Sequence, residues 1–262
     1  MPIQVAAEVL QVAPDTLHAS RIKGGLTNES WLVQGANDSV VVRVSTADEH
    51  ALQLNRRSET LVLERVQQAG IGAQVLLCAP ERRLLVTRRL PGETMTIEAM
   101  RDPATLRPLT ALLRRLHSIS VPDSVQQSDL LAILHGYWQT LDAHPAHPHD
   151  ADDARAYAAE IALESAQAAN RCLCHNDVHH LNLMSDDKQL WLLDWEYAGI
   201  GDPFFDLAAV CCYHDYNQAL RNQLLLAYRG ELITVDSTRL QRMCWLFDYI
   251  KVLWLTVRGL EV

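Results

Sequence analysis

Two short runs, HNDVHHLN at 175–182 and LLDWE at 192–196, bring Asp177, Asn182 and Asp194 within close reach along the chain. Each lies beside an apolar stretch, 172–174 or 189–193, that reads as a strand. A carboxylate presented at a strand end can align an alcohol and accept its proton. An amide oxygen and a second carboxylate are hard ligands of the kind that suits Mg2+. Transfer of the terminal phosphoryl group of ATP needs an aligned hydroxyl, a metal bridging the phosphates, and cations or backbone donors that hold them. Singly, any of the three residues reads as a loop side chain capping a backbone amide. As an ordered set, H-N-D-x4-N followed by an apolar strand ending in D-W-E, they point to kinase-type chemistry. His175 reads as a ring that ties this loop together by hydrogen bonding. His179 and His180 read as exposed loop residues, with no cysteine or acidic spacing to make them a zinc site.

Composition sets the frame for that cluster. The chain has 262 residues, 48% hydrophobic and 21% charged, enough for one domain or two small lobes around a cleft. A formal net charge of -9 argues against a nucleic-acid partner, which needs a basic face. No segment approaches eighteen apolar residues and the first fifteen lack a basic, then apolar, leader. The expectation is a cytoplasmic protein with no membrane partner. The six cysteines have no framework spacing; C-x-C at 172–174 and an adjacent pair at 211–212 read as buried free thiols in a reducing compartment. Nothing in the sequence fixes an oligomeric state.

The elements that must hold the cluster follow from periodicity. Residues 30–33 and 40–44 are rich in β-branched or aromatic side chains and flank the turn-like GANDS, which predicts a hairpin. A helix is expected over 48–68, then strands at 75–77 and 84–87 around APERR. Pro91 and Gly92 interrupt the pattern and mark the boundary between a lobe of residues 1–90 and one of 91–262. Leucines at helix spacing predict a helix over 103–117, with Pro103 in its first turn. Further helices are expected at 128–141, over the alanine-rich 151–169, and along a C-terminal stripe of Leu240, Cys244, Phe247, Ile250, Trp254 and Val257. The histidine- and proline-containing segment 142–153 reads as a surface loop.

GGLTNESWLV at 24–33, VVVRV at 40–44, NRRSE at 55–59, LLVTRRLPGETM at 84–95, HNDVHHLNLM at 175–184 and LLDWEYAGIGDPFFDLA at 192–208 together carry a resemblance. The chain resembles the aminoglycoside phosphotransferase and choline kinase superfamily, and within it the choline, ethanolamine and thiamine kinase branch. The resemblance implies an α+β, bilobal protein-kinase-like fold with a small β-rich N-terminal lobe and a larger, mostly helical C-terminal lobe. It also implies ATP and Mg2+ as cofactors. By the same resemblance Asp177 is the catalytic-loop aspartate, Asn182 and Asp194 hold metal, and His175 is the structural histidine. Arg43 covers the α- and β-phosphates with Glu59 as its helical partner. Gly25, Thr27, Asn28 and Ser30 belong to the loop above the phosphates, where glycine permits close approach and the polar side chains donate hydrogen bonds. The sequence departs from protein kinases in reading Asp194-Trp195-Glu196 where they have D-F-G, and it lacks an activation segment. A small-molecule acceptor is therefore expected.

Aromatic residues collect in the C-terminal half, and an aromatic face beside a carboxylate suits a cationic amine. Glu196, Tyr197 and Trp254 are the expected acceptor-binding residues beside Asp177. The same stripe that carries Trp254 also reads as plain helix core. A choline- or ethanolamine-like alcohol is the first expectation, thiamine the second, an aminosugar or aminoglycoside the third. A non-catalytic, kinase-like nucleotide-binding protein is the alternative of a different class.

Overall fold

Alternation of branched side chains builds the first sheet. The computed structural model describes residues 1–22, 28–46, 54–144, 152–186 and 188–259. Strands β1 (His18–Ile22), β2 (Asn28–Gln34), β3 (Ser39–Ser45), β4 (Val75–Ala79) and β5 (Leu84–Arg88) form an antiparallel sheet in the order β1-β2-β3-β5-β4. The β2–β3 hairpin closes where Gly35 N–H donates to the Asp38 carbonyl, 2.8 Å, within the GANDS turn. Because side chains alternate faces along a strand, Val40, Val42 and Val86 share one side. There they pack with Val5, Ala6 and Ala7 of helix α1 (Pro2–Leu10). Arg43 and Leu85, paired in register, belong to the other side. Leu85 packs there with Val62, Leu63 and Val66 of helix α2 (Arg56–Gln68).

Two features of this region were not expected. α1 and β1 lie in a stretch without a clear period, and α2 begins at Arg56 rather than at 48. Its start is set by Asn55, whose side chain accepts from the Ser58 amide at 3.1 Å as an N-cap. Residues 47–53 lie outside the described residues.

After Gly92 the chain joins a different sheet. Strand β6 (Glu93–Thr94) pairs with β8 (Leu183–Ser185), which pairs with β9 (Leu190–Leu192). A separate two-stranded ribbon joins β7 (Cys172–Cys174) to β10 (Gly199–Gly201). Around these lie α3 (Ile97–Arg101), α4 (Pro103–His117), α5 (Leu130–Asp142), α6 (Asp152–Ala166), α7 (Pro203–Tyr213), α8 (Gln218–Arg229) and α9 (Thr234–Val257). α4 has the expected bounds, and Leu106, Leu109, Leu112, Leu113 and Leu116 are all buried. α7 is buried from Pro203 to Cys212, a helix apolar on every side and wrapped by its neighbours. On α9 the stripe is buried at Leu240, Cys244 and Phe247 and half-buried at Ile250, Trp254 and Val257.

We propose residues 1–90 and 91–262 as the two lobes, on the ground that pairing switches sheets at this point. The hydrophobic core does not divide there: the inner face of α2 joins the large C-terminal cluster. Gly92 has φ +85°, and a Cβ on it would lie 2.0 Å from the Ser185 carbonyl oxygen. Both the left-handed backbone and the close approach to β8 require glycine. Gly92→Ala is expected to lower unfolding free energy by about 2 kcal/mol or more in denaturant titration. An unchanged midpoint would show that this link bears no strain.

Candidate active site

The loop between β7 and β8 carries Asp177, and its root is fixed from below. Asp206, on α7 and fully buried, accepts from the backbone amides of His175 at 2.9 Å and Asn176 at 2.6 Å. A third donor is the His117 ring, whose Nε2 lies 2.9 Å from Asp206 Oδ2. Asn176 is left-handed, φ 69°, a conformation asparagine tolerates better than most residues. Its side chain donates to Ser128 Oγ at 2.7 Å and to the Tyr197 carbonyl at 2.8 Å.

The His175 ring is hydrogen-bonded at both nitrogens. Its Nε2–H donates to the Leu193 carbonyl at 2.8 Å and its Nδ1 accepts from the Asp177 amide at 3.3 Å. Burial pushes its pKa down against the pull of Asp206 and Asp177, so the ring is neutral in this tautomer. The ring also rests edge-on against Trp195, centroids 4.7 Å apart. Leu193 N–H in turn donates to the Asn182 carbonyl at 2.8 Å. The catalytic loop and the turn bearing Asp194 (φ 60°) are thereby stitched to each other.

Asp177, Asn182 and Asp194 converge. Asn182 Nδ2 donates at 3.0 Å to both the Asp177 carbonyl and Asp177 Oδ2. Tyr213 O–H donates to Asp177 Oδ1 at 2.8 Å, and His179 Nε2 lies 3.4 Å from Oδ2. Burial raises the Asp177 pKa, but the hydrogen bond and charge of His179, then His175 and Tyr213, bring it below the ordinary carboxylate range. A carboxylate so held is an anion in a fixed orientation, better at aligning a hydroxyl than at early proton abstraction.

Above this floor lies a linked set of charges from both lobes. Arg43 donates through Nη1 to Asp194 Oδ1 at 2.9 Å and through Nη2 to Glu59 Oε1 at 2.5 Å. Its Nε is buried without a partner among the described residues. Arg56, one turn before Glu59, donates to Glu59 Oε2 at 2.9 Å and to Glu196 Oε2 at 3.0 Å. Asn28 Nδ2 donates to the same Glu196 oxygen at 2.9 Å. Asp194 is pushed up to about 7 by burial first, then by the charge of Glu196, against the pull of Arg43. With the Asn182 amide nitrogen turned to Asp177, its oxygen and the Asp194 carboxylate remain as a hard donor pair. That donor set, crowded by further carboxylates, fits a divalent cation such as Mg2+.

The expected site residues are therefore distributed in three ways. Asp177, Asn182, Asp194, Arg43, Glu59 and His175 share one connected network. Asn28 and Glu196, expected at the phosphates and at the acceptor, instead bond to each other and to Arg56; Glu196 is 3% exposed. Ser30 lies on β2 opposite Arg43. Gly25 and Thr27 lie outside the described residues. Trp254 Nε1–H donates to the Tyr197 hydroxyl at 3.2 Å. Burial, then the charge of Glu196, raise the Tyr197 pKa. Of these aromatic residues, Tyr213 bonds directly to Asp177, and Trp254 bonds to Tyr197. Lys251 Nζ lies 5.6 Å from the Tyr213 ring centre and the Arg258 guanidinium 5.2 Å from that of Trp254.

The sequence pattern of the phosphotransferase enzyme family (APH) matches residues 18–241. The chain belongs to this family. Protein LicA of Haemophilus influenzae is 25% identical over 230 residues, covering 83% of this chain and 65% of LicA. The chain thus spans about two thirds of that relative. A choline/ethanolamine kinase family protein from Mesorhizobium loti superposes with a TM-score of 0.75 at 24% identity, over 99% of this chain and 88% of that one. Choline kinase LicA from Streptococcus pneumoniae gives 0.78 at 17% identity, over 99% and 92%. The shared fold is α+β, two-lobed and protein-kinase-like, as the sequence resemblance implied.

In this phosphotransferase the sequence reading missed three groups at the site. Asp206 stands in the apolar run FFDLAAVCC, where a lone acid is itself a signal of a satisfied buried carboxylate. Tyr213 was read as one of several aromatics, and its bond to Asp177 depends on where α7 ends. Arg56 was part of a motif without a role; it ties α2 to Glu196 across the cleft.

Arg56→Met takes a guanidinium partner from the buried Glu196 carboxylate, and breaking a buried pair from one side costs roughly 3–5 kcal/mol. The variant is expected to unfold that much more easily, and Arg56→Met with Glu196→Gln is expected to recover most of the loss. Failure to recover would mean that Arg56 acts through packing rather than charge.

His214 gives a pH test. It is buried, donates from Nδ1 to the Val210 carbonyl at 2.7 Å, and accepts the His180 amide on Nε2 at 3.2 Å. Burial lowers its pKa to about 4, below the ordinary value near 6.5. The unfolded chain therefore binds the extra proton first, so stability present above about 6.5 declines as pH falls toward 4. The melting temperature should drop over that window, and His214→Gln should flatten the drop. An equally steep acid limb in the variant would assign it to other groups.

Proposed function

We propose that this phosphotransferase moves the terminal phosphoryl group of ATP to the hydroxyl of a small cationic alcohol, of the choline or ethanolamine kind, with Mg2+. The observation that carries this reading is the fixed Asp177 carboxylate, held by Tyr213, Asn182 and His179, together with the Trp254–Tyr197 hydrogen bond at the residue that follows Glu196. Asp177 would accept a hydrogen bond from the acceptor hydroxyl, align it, and take its proton as the new P–O bond forms. Asn182 and Asp194 would hold Mg2+, which would supply positive charge against the phosphates. Arg43, with its unpartnered buried Nε, suits a phosphate oxygen, and Glu59 keeps its fork oriented.

On the acceptor side, anionic Asp177 and three aromatic rings favour an ammonium group. Lys251 and Arg258 lie over the Tyr213 and Trp254 rings. An ammonium-bearing acceptor must displace them or use Tyr197. The six free cysteines suit the reducing cytoplasm, to which we assign the protein. Among the described residues no helix is long and apolar enough to cross a membrane.

The test is ADP release with ATP and Mg2+ across choline, ethanolamine, thiamine, aminosugars and aminoglycosides. Release should depend on one of the first two. Asp177→Asn should lower turnover at least ~10^3-fold with an unchanged melting profile. Full turnover in that variant would remove Asp177 from the chemistry. Nucleotide binding without transfer to any alcohol would favour a non-catalytic role.

A further inference from the structure

Behind the catalytic loop lies a cluster to which the phosphoryl chemistry gives no task. His117, in the last turn of α4, meets Cys172 and Cys174 of β7, and one ligand atom from each lies within 4.8 Å of the others. Two residues apart on a strand, the cysteines project to the same face. Their partners across the ribbon are Gly201 and Gly199, which place no side chain of their own against them. Both thiols are free.

The histidine is oriented as a metal ligand would be. Asp206 already accepts two amide N–H groups and takes His117 Nε2 at 2.9 Å as a third donor. That assigns the proton to Nε2 and leaves the lone pair on Nδ1, which accepts from the Tyr228 hydroxyl at 2.7 Å. One ring nitrogen of His117 and the two thiol sulfurs lie within 4.8 Å of one another. With a buried carboxylate on Nε2, Nδ1 is the nitrogen whose lone pair a metal beside the thiols could take. A ring with one nitrogen on a carboxylate and the other on a soft donor set is the arrangement found around histidine-bound transition metals.

We propose that His117 Nδ1, Cys172 Sγ and Cys174 Sγ bind one thiophilic transition-metal ion of the Zn2+ class at the root of the catalytic loop. Thiolate and imidazole ligands select such ions over Mg2+, which prefers oxygen. Zn–S bonds of about 2.3 Å and Zn–N bonds of about 2.0 Å put tetrahedral ligand atoms roughly 3.5 Å apart. Ligand atoms that lie within 4.8 Å of one another must draw together by about 1 Å on binding. The two thiols release one proton each to solvent, the imidazole contributes its lone pair, and Tyr228 leaves Nδ1. The ion would sharpen the Nε2–H bond to Asp206, the group that holds the His175 and Asn176 amides. Its effect is on the stability of the loop's root, separate from the phosphate site.

The test uses the full chain with Zn2+ or Co2+ and excess Mg2+ to cover oxygen sites. One Zn2+ per chain should survive dialysis, Co2+ should give a thiolate-to-metal charge-transfer band, and Zn2+ should raise the melting temperature. Cys172→Ser should abolish the band and weaken Zn2+ retention at least about ten-fold, as loss of a supporting or direct ligand does. Its metal-free melting temperature and turnover should stay as in the parent. Cys78→Ser, outside the cluster, should change neither readout. A band that persists unchanged in Cys172→Ser, or Zn2+ retained with no thiolate band, would overturn the site. None of these readouts needs an acceptor alcohol, so their failure leaves the proposed phosphoryl transfer untouched.

Discussion

A carboxylate sealed from water at Asp206 governs the geometry of everything above it. An ionised carboxylate in such a place costs several kcal/mol unless its lone pairs are filled. Here they are filled by two successive backbone amides and one imidazole. Because the penalty returns if any donor drifts, the start of the catalytic loop has one low-energy position. α7 supplies the rigidity for this, being buried along ten successive residues and capped by Asp202, whose Oδ1 accepts the Phe204 amide at 2.9 Å. From Asn176 the order passes to Ser128 and Tyr197, and from His175 to Leu193 and hence to Asp194. The left-handed residues Asn176 and Asp194, each worth roughly 1–3 kcal/mol of strain, persist because these bonds over-determine them.

Charge balance explains why such a cleft calls for a divalent cation. Among the described residues the network holds Asp177, Asp194, Glu59 and Glu196 against the guanidinium groups of Arg43 and Arg56. Two cations among four carboxylates leave an acidic surplus; burial first, and then the charge of Glu196, moves Asp194 up to about 7. A polyphosphate approaching alone would meet repulsion at its reactive end. A divalent ion held by Asn182 and Asp194 would offset that surplus and favour the ionised form of Asp194. Arg43, freed from Asp194 by the ion, would then have a donor arm for phosphate.

Much of the scaffold was legible because its signals are local. The leucine spacing of 103–117 gave α4 its bounds, and valine alternation around GANDS gave the β2–β3 hairpin. The grouping of candidate residues was legible where they lie close in sequence: Asp177 and Asn182 share one loop, and His175 opens it. It was not legible where partners lie far apart in sequence. Asn28 and Glu196 are separated by 168 residues, and no local pattern reveals that Arg56 joins them. The early start expected for α2 failed for a local reason instead, since a good helix former cannot outweigh the Asn55 cap that sets the first turn. α1 and β1 are held by the sheet they cover rather than by a period of their own.

The acceptor side is the part most dependent on long-range packing. Tyr197 follows the Asp194 turn, Tyr213 ends α7, and Trp254 comes from α9. Two hydrogen bonds bind these separate origins to the chemistry, Tyr213 to Asp177 and Trp254 to Tyr197. α9 is fixed against α7 through Cys244 and Phe247, the latter edge-on to Tyr213 at 5.3 Å. A shift of α9 therefore moves its aromatic rings and the Tyr213 bond to Asp177 together. On the proposed function, the phosphate half would be set by loop geometry that tolerates little change. The acceptor half would be set by how one long helix lies on another, which would let the choice of alcohol diverge while Asp177 keeps its place.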